Sequence, residues 1–121
     1  MLSCLVVDDS RVIRKLASRI LADLRMEVRE AENGAVALEL CAQAMPDVIV
    51  VDWNMPVLDG IQFVKRLRAS AHGDRPKVLF CTTESELAKI AEAIEHGAYE
   101  YIMKPFDKDI MMSKLQRVGA I

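Results

Sequence analysis

Apolar residues in this chain follow two rhythms. Short β-rich blocks fall at Cys4–Val7, Val28–Ala31, Val48–Val51, Val78–Cys81 and Tyr99–Met103. The first, third and fourth are apolar throughout, as expected of parallel strands covered on both faces. The segments between them carry helical spacing. Val12, Ile13, Leu16, Ile20 and Leu24 form one stripe; Gly60, Phe63, Val64 and Leu67 form another. Leu87, Ile90, Ala91 and Ile94 repeat the pattern, Val36, Leu40 and Ala44 do so more weakly, and a segment from about Phe106 to Val118 is the least regular. Ser10, Asn33 and Asp59 stand where helix N-caps belong, and Gly97 stands where a C-cap glycine belongs. Thr83-Glu84-Ser85-Glu86 reads as a capping box opening the fourth helix. Pro46, Pro56, Pro76 and Pro105 all fall in connections. Strand and helix thus alternate five times. Right-handed crossovers turn that order into an α/β fold, (βα)5, with a parallel sheet and helices on both faces.

Composition narrows the class without changing it. With 121 residues there is room for one compact domain, and 52% hydrophobic with 28% charged residues suits a globular chain. Sixteen Lys and Arg against eighteen Asp and Glu leave a net charge of −2, which offers no support for binding a polyanion. No apolar run approaches the roughly 20 residues that span a bilayer, and the first residues lack a signal-peptide layout. Three cysteines, Cys4, Cys41 and Cys81, have neither CxxC nor metal-type spacing. A reduced, cytoplasmic setting is the expectation.

Candidate chemistry collects at one edge of the sheet. In open α/β sheets the working site lies beyond the carboxyl ends of the strands. Strand one there ends in Asp8-Asp9, strand three in Asp52 and strand four in Thr82-Thr83, while strand five runs into Lys104-Pro105. Three carboxylates repel one another unless a cation joins them. An all-oxygen set suits Mg²⁺, which takes few protein ligands and keeps several waters. Lys104 and a strand-end hydroxyl could stabilise the equatorial oxygens of a phosphoryl group while one carboxylate attacks phosphorus. The chemistry implied is an aspartyl phosphate.

These residues resemble the receiver domain of two-component response regulators, specifically the single-domain, CheY-like chemotaxis type. The resemblance covers essentially the whole chain. It rests on Val7-Asp8-Asp9-Ser10, on Val51-Asp52-Trp53-Asn54-Met55-Pro56-Val57-Leu58-Asp59-Gly60, on Thr82, and on Tyr101-Ile102-Met103-Lys104-Pro105-Phe106. It implies a flavodoxin-like, doubly wound sheet of order 2-1-3-4-5, an order for which a chemotaxis receiver is itself a standard example. It implies Asp52 as phospho-acceptor, and Asp9, Asp52 and the backbone carbonyl of Asn54 as Mg²⁺ ligands, with Asp8 acting through water. Lys104 would contact phosphate, preceding a cis peptide to Pro105. Thr82 would be the switch hydroxyl and Tyr101 its aromatic partner. Asn54 and Glu84 would flank the path of the hydrolytic water. Thr83 departs from the smaller residue many receivers carry there, which affects the space open to Tyr101.

The function expected is a phosphorylation switch. A histidine kinase or HPt protein would donate to Asp52, and the face of the fourth helix, fifth strand and fifth helix would change its affinity for a partner protein. With no output domain expected in residues 1–121, direct nucleic-acid contact and membrane insertion are not. Nor is metabolic turnover: the receiver catalyses only its own phosphorylation and dephosphorylation. A phosphorelay intermediate or phosphate sink without its own output is the alternative. A phosphohydrolase fits less well, because Asn54 stands where haloacid-dehalogenase-like enzymes place an acid/base Asp. No glycine-rich loop follows strand one to favour nucleotide or flavin. Arg11, Arg14, Lys15 and Arg19 read as a solvated basic face or a dock for an acidic partner, and His72 and His96 receive no role.

Overall fold

The computed structural model describes residues 1–83, 86, 90–95 and 100–121, with only the backbone described at 91–93. Gly97, Leu87, Tyr99, His96 and the Glu84-Ser85 part of the expected capping box lie outside the described residues, as does the side chain of Ala91.

Five parallel strands form one sheet in the order β2-β1-β3-β4-β5: β1 (Ser3–Val7), β2 (Glu27–Ala31), β3 (Val48–Asp52), β4 (Lys77–Thr82) and β5 (Glu100–Met103). Among the described residues the helices are α1 (Arg11–Asp23), α2 (Gly34–Gln43), α3 (Gly60–Ala69), α4 (Ile90–Glu95) and α5 (Lys108–Arg117). The flavodoxin-like (βα)5 expectation is met.

Strand alternation divides the core in two. Leu5, Val7, Ile49, Val51, Val78 and Phe80 face one cluster, closed by Ala37 and Cys41 of α2 and Phe63, Val64 and Leu67 of α3. Cys4, Val6, Val48, Val50, Leu79, Cys81 and Ile102 face the other, closed by Ala17, Ile20 and Leu21 of α1 and Met111 and Leu115 of α5. Continuous apolar strands are therefore apolar because both faces are dry. All three cysteines are free and buried. Burial raises their thiol pKa values, that of Cys41 to about 11, so they act as small hydrophobes.

Side-chain caps start the helices where the sequence places them. Ser10, Asn33 and Asp59 accept from the amides of Ile13, Val36 and Gln62. Gln62 returns the bond to the Asp59 amide at 3.1 Å, completing a capping box. Asp107 caps α5 in the same way by accepting from Ile110. At the other end of α2, Arg29 of edge strand β2 donates to the carbonyls of Leu40 and Ala44 at 3.0 and 2.6 Å. That places a cation at the negative pole of the helix, where it joins the Ala44 amide on the Leu40 carbonyl and gives the Ala44 carbonyl a donor.

The α1 stripe is corrected. Val12 and Leu16 are 76% and 40% exposed, whereas Ala17 and Leu21 are buried with Ile20. Two apolar stripes run side by side on this helix. The one containing alanine packs inward, since its short side chain lets the helix approach the sheet closely. Among the described residues no helix is long and apolar enough to cross a membrane.

Candidate functional site

Each candidate residue leaves the sheet at the carboxyl end of a strand. Asp8 follows β1, Asp52 closes β3, Thr82 closes β4 and Lys104 follows β5. Adjacent strands hold these ends in register, with Asp52 opposite Cys81 and Thr82 opposite Met103. The Lys104 amide donates to the Thr82 carbonyl at 2.9 Å, extending the β4–β5 ladder to the site. The Lys104–Pro105 peptide is cis, as the resemblance implied.

Carboxylate oxygens of Asp8, Asp9 and Asp52 all lie within 4.8 Å of one another. Asp8 and Asp52 are buried and Asp9 is exposed, so the cluster opens to solvent on one side. Lys104 Nζ stands 3.1 Å from Asp8 Oδ2 and 3.1 Å from Asp52 Oδ1. The Ser10 amide donates to Asp8 Oδ1 at 2.9 Å, and the Asn54 amide reaches Asp52 Oδ1 at 3.4 Å. Asp8 Oδ2 is buried without a hydrogen bond; Lys104 faces it as a charge, out of line for a directed bond.

Electrostatics follow from this crowding. Burial, then the neighbouring Asp8 charge, pushes the Asp52 carboxyl above its ordinary range, and Lys104 offsets this only in part. Burial opposes the Lys104 charge, but attraction to Asp52 and Asp8 outweighs it, so this lysine holds its proton more tightly than usual. One ammonium thus serves two buried carboxylates with a third alongside. That charge balance, with the orphaned Asp8 oxygen, fits a hard divalent cation.

The sequence expectations meet the structure unevenly. Asp8, Asp9, Asp52 and Lys104 come together. Thr82 is buried nearby, its hydroxyl donating to the Thr83 carbonyl at 3.3 Å. Asn54 is exposed, two residues past the acceptor position. Tyr101 is half-buried, with Lys114 Nζ 4.1 Å from its ring centroid. Glu84 lies outside the described residues. Lys104 already holds both buried carboxylates, with no phosphate present.

Sequence reasoning underrated Arg14. It donates to the Asp8 backbone carbonyl at 2.7 Å and pairs with Glu30 at 3.3 Å, while Lys15 meets Glu30 at 3.1 Å. Arg14, with its side chain 16% exposed, is therefore not simply part of a solvated basic face, whereas Lys15, 61% exposed, still is. Arg14 braces the β1–α1 turn that carries Asp8 and Asp9. Only its place one helical turn from Asp8-Asp9 hinted at that.

Fold and acidic cluster together are those of a signalling receiver: the chain belongs to the response regulator receiver domain family, which matches residues 4–116. Receiver domains bind Mg²⁺ at an acidic site of this kind. Within the family the chain is similar to the chemotaxis protein CheY1 of Helicobacter pylori, with 38% identity over 116 residues and 94% of both chains covered. It is also 38% identical over 113 residues to the regulatory protein AtoC of Escherichia coli, covering 93% of this chain and 24% of that protein. The chain thus spans about a quarter of AtoC and nearly all of CheY1. Among solved structures, the chemotaxis response regulator CheY4 of Vibrio cholerae matches at a TM-score of 0.91 with 39% identity, over 98% of each chain.

Proposed function

We propose that this chain is a chemotaxis-type phosphorylation switch in which Asp52 accepts a phosphoryl group from the phosphohistidine of a kinase or HPt protein. The observation that carries the reading is Lys104 Nζ at 3.1 Å from both Asp52 and Asp8, inside a three-carboxylate cluster open to solvent. Asp52 Oδ1 is occupied by Lys104 and the Asn54 amide, which leaves Oδ2 for attack. The new O–P bond forms as the P–N bond breaks, and the imidazole departs with the bonding pair.

Asp9, Asp52 and the Asn54 carbonyl would hold Mg²⁺ directly, and Asp8 through water. Bound there, the ion supplies positive charge to neutralise the transferring phosphoryl oxygens. Phosphorylation replaces the single negative charge of Asp52 with a phosphoryl group of about −1.5 to −2, carried on oxygens further from the strand end. Lys104 then exchanges a carboxylate oxygen for phosphoryl oxygen, the Thr82 hydroxyl turns to donate to another, and Tyr101 follows. The face of α4, β5 and α5 would thereby change its affinity for a protein partner. Hydrolysis by water breaks the O–P bond and restores the carboxylate, with Asn54 and Glu84 orienting that water. A polar amide and a carboxylate there favour a short phosphoryl lifetime.

Acetyl phosphate with Mg²⁺ should give a retarded band on a phosphate-affinity gel, and Asp52→Asn should abolish it. Equal retardation of the variant would move the acceptor elsewhere.

A further inference from the structure

We propose that Lys114 of α5 is a positioning residue that holds Tyr101 in its resting place and so sets how readily the site responds to phosphorylation. The inference rests on the reading that Tyr101 follows the state of Asp52, and it adds a residue to that chain of events.

Lys114 reaches Tyr101 directly and also through Glu100. Its Nζ stands 4.1 Å above the ring centroid, inside cation–π range. It also lies 3.7 Å from Glu100 Oε1, the oxygen that accepts from the Tyr101 amide at 3.0 Å. Arg117 holds the other oxygen of the same carboxylate at 3.3 Å. The Lys114 side chain is only 16% exposed, against 66% for Arg117. A surface lysine normally extends its ammonium into water. This one lies instead against a ring and a carboxylate, where reduced solvation strengthens both contacts.

The consequence is a population effect. Any movement of the Tyr101 ring out from under Lys114 leaves a poorly hydrated ammonium with Glu100 alone. The resting arrangement is therefore favoured by the cation–π contact, and a ligand that draws Tyr101 away must work against it. Removing the ammonium should make the phosphorylated arrangement easier to reach. Lys114 and Arg117 also lie in the last turn of α5, where any cation complements the helix dipole. A purely dipolar role would alter helix stability without touching the tyrosine ring.

Full-length protein labelled with ¹³C-tyrosine provides the test. It contains two tyrosines, and Tyr101→Phe assigns the resonance. Beryllofluoride with Mg²⁺, which mimics the phosphoryl group, is titrated against wild type, Lys114→Met, Lys114→Arg and Glu100→Gln. In Lys114→Met the ligand-free Tyr101 resonance should shift toward its beryllofluoride position. Half-saturation should fall about two- to fivefold, the range a cation–π contact supports. Lys114→Arg should restore wild-type behaviour, and Glu100→Gln should move the same way as Lys114→Met by a smaller step. A wild-type resonance that responds to beryllofluoride, with identical titrations in Lys114→Met, would overturn the Lys114 role alone. So would Lys114→Arg behaving like Lys114→Met. A wild-type Tyr101 indifferent to beryllofluoride would overturn the underlying switch reading as well.

Discussion

Gly60 meets the backbone of Asp52 more closely than any side chain would allow. A Cβ at position 60 would lie 2.7 Å from the Asp52 carbonyl oxygen and 2.6 Å from Cε1 of Phe80. The Gly60 amide meanwhile donates to the Trp53 carbonyl at 3.1 Å, so the first turn of α3 is tied to the strand end that carries the acceptor. Gly60→Ala should cost about 1–3 kcal/mol through overpacking. Phe80 packs edge-on against Trp53 with ring centroids 5.1 Å apart, so the same change should disturb tryptophan emission. Urea unfolding followed by fluorescence measures both; wild-type stability with an unshifted spectrum would mean the strand end yields at no cost.

Asp52→Asn should stabilise the metal-free protein at pH 7, because it removes a carboxylate that the fold disfavours in its charged form. The folded-state pKa of Asp52 lies above its ordinary value, because of burial and then Asp8. Such a group contributes stability below its unfolded pKa and loses that contribution as pH rises through the folded value. The advantage of the asparagine variant should therefore be absent near pH 3 and present at pH 7. Denaturant midpoints at the two pH values decide it, and an advantage that is constant with pH would assign the effect to something other than this charge.

Lys104→Ala should be costly before any phosphate is present. It strips the counterion from two buried carboxylates. Breaking a fully buried pair costs about 3–5 kcal/mol, and about 2 kcal/mol is expected here because the cluster opens to water. Mg²⁺ should recover part of the loss by replacing the missing positive charge. The folded pKa of Lys104 is raised, so its contribution is present below the ordinary lysine value and disappears as pH climbs through the folded one. Thermal unfolding with and without Mg²⁺ at pH 8 should show the loss and the rescue; the same melting temperature as wild type in the absence of Mg²⁺ would make the lysine a dispensable surface charge.

Trp53 is the only tryptophan and adjoins Asp52, so its emission should change on Mg²⁺ addition and again on beryllofluoride. Asp9→Ala removes one member of the carboxylate cluster and should abolish the Mg²⁺ response. An unaltered titration in that variant would take Asp9 out of the metal shell.

Much of this architecture is legible from the strands. Leu5 to Val7 and Val48 to Val51 are uninterrupted because helices cover both faces, and the candidate site follows once their ends are located. Contacts that depend on side-chain direction are not legible. Nothing local in α1 decides between the stripe of Val12 and Leu16 and that of Ala17 and Leu21; the position of the sheet does. Likewise the sequence sets Lys104 at the same edge as Asp52, but the direct contact between the two, 52 residues apart, depends on how the lysine side chain is aimed. Lys114 over Tyr101 joins two elements whose adjacency is tertiary, and spacing carries no trace of it.

Arg29 fastened across to α2 has a consequence for how copies of this chain can meet. Strand β2 is one outer edge of the sheet, and an exposed edge is ordinarily a template for another chain to pair with. Here the sequence Glu27-Val28-Arg29-Glu30 lines that edge with charges already committed elsewhere, Arg29 to the α2 carbonyls and Glu30 to Arg14 and Lys15. An incoming strand would have to settle beside these charges and disturb their pairing. The opposite edge, β5, is only four residues long and begins at Glu100, held by Lys114 and Arg117. Both margins therefore discourage strand-to-strand polymerisation, and crowding should drive this chain to associate through its helices or not at all.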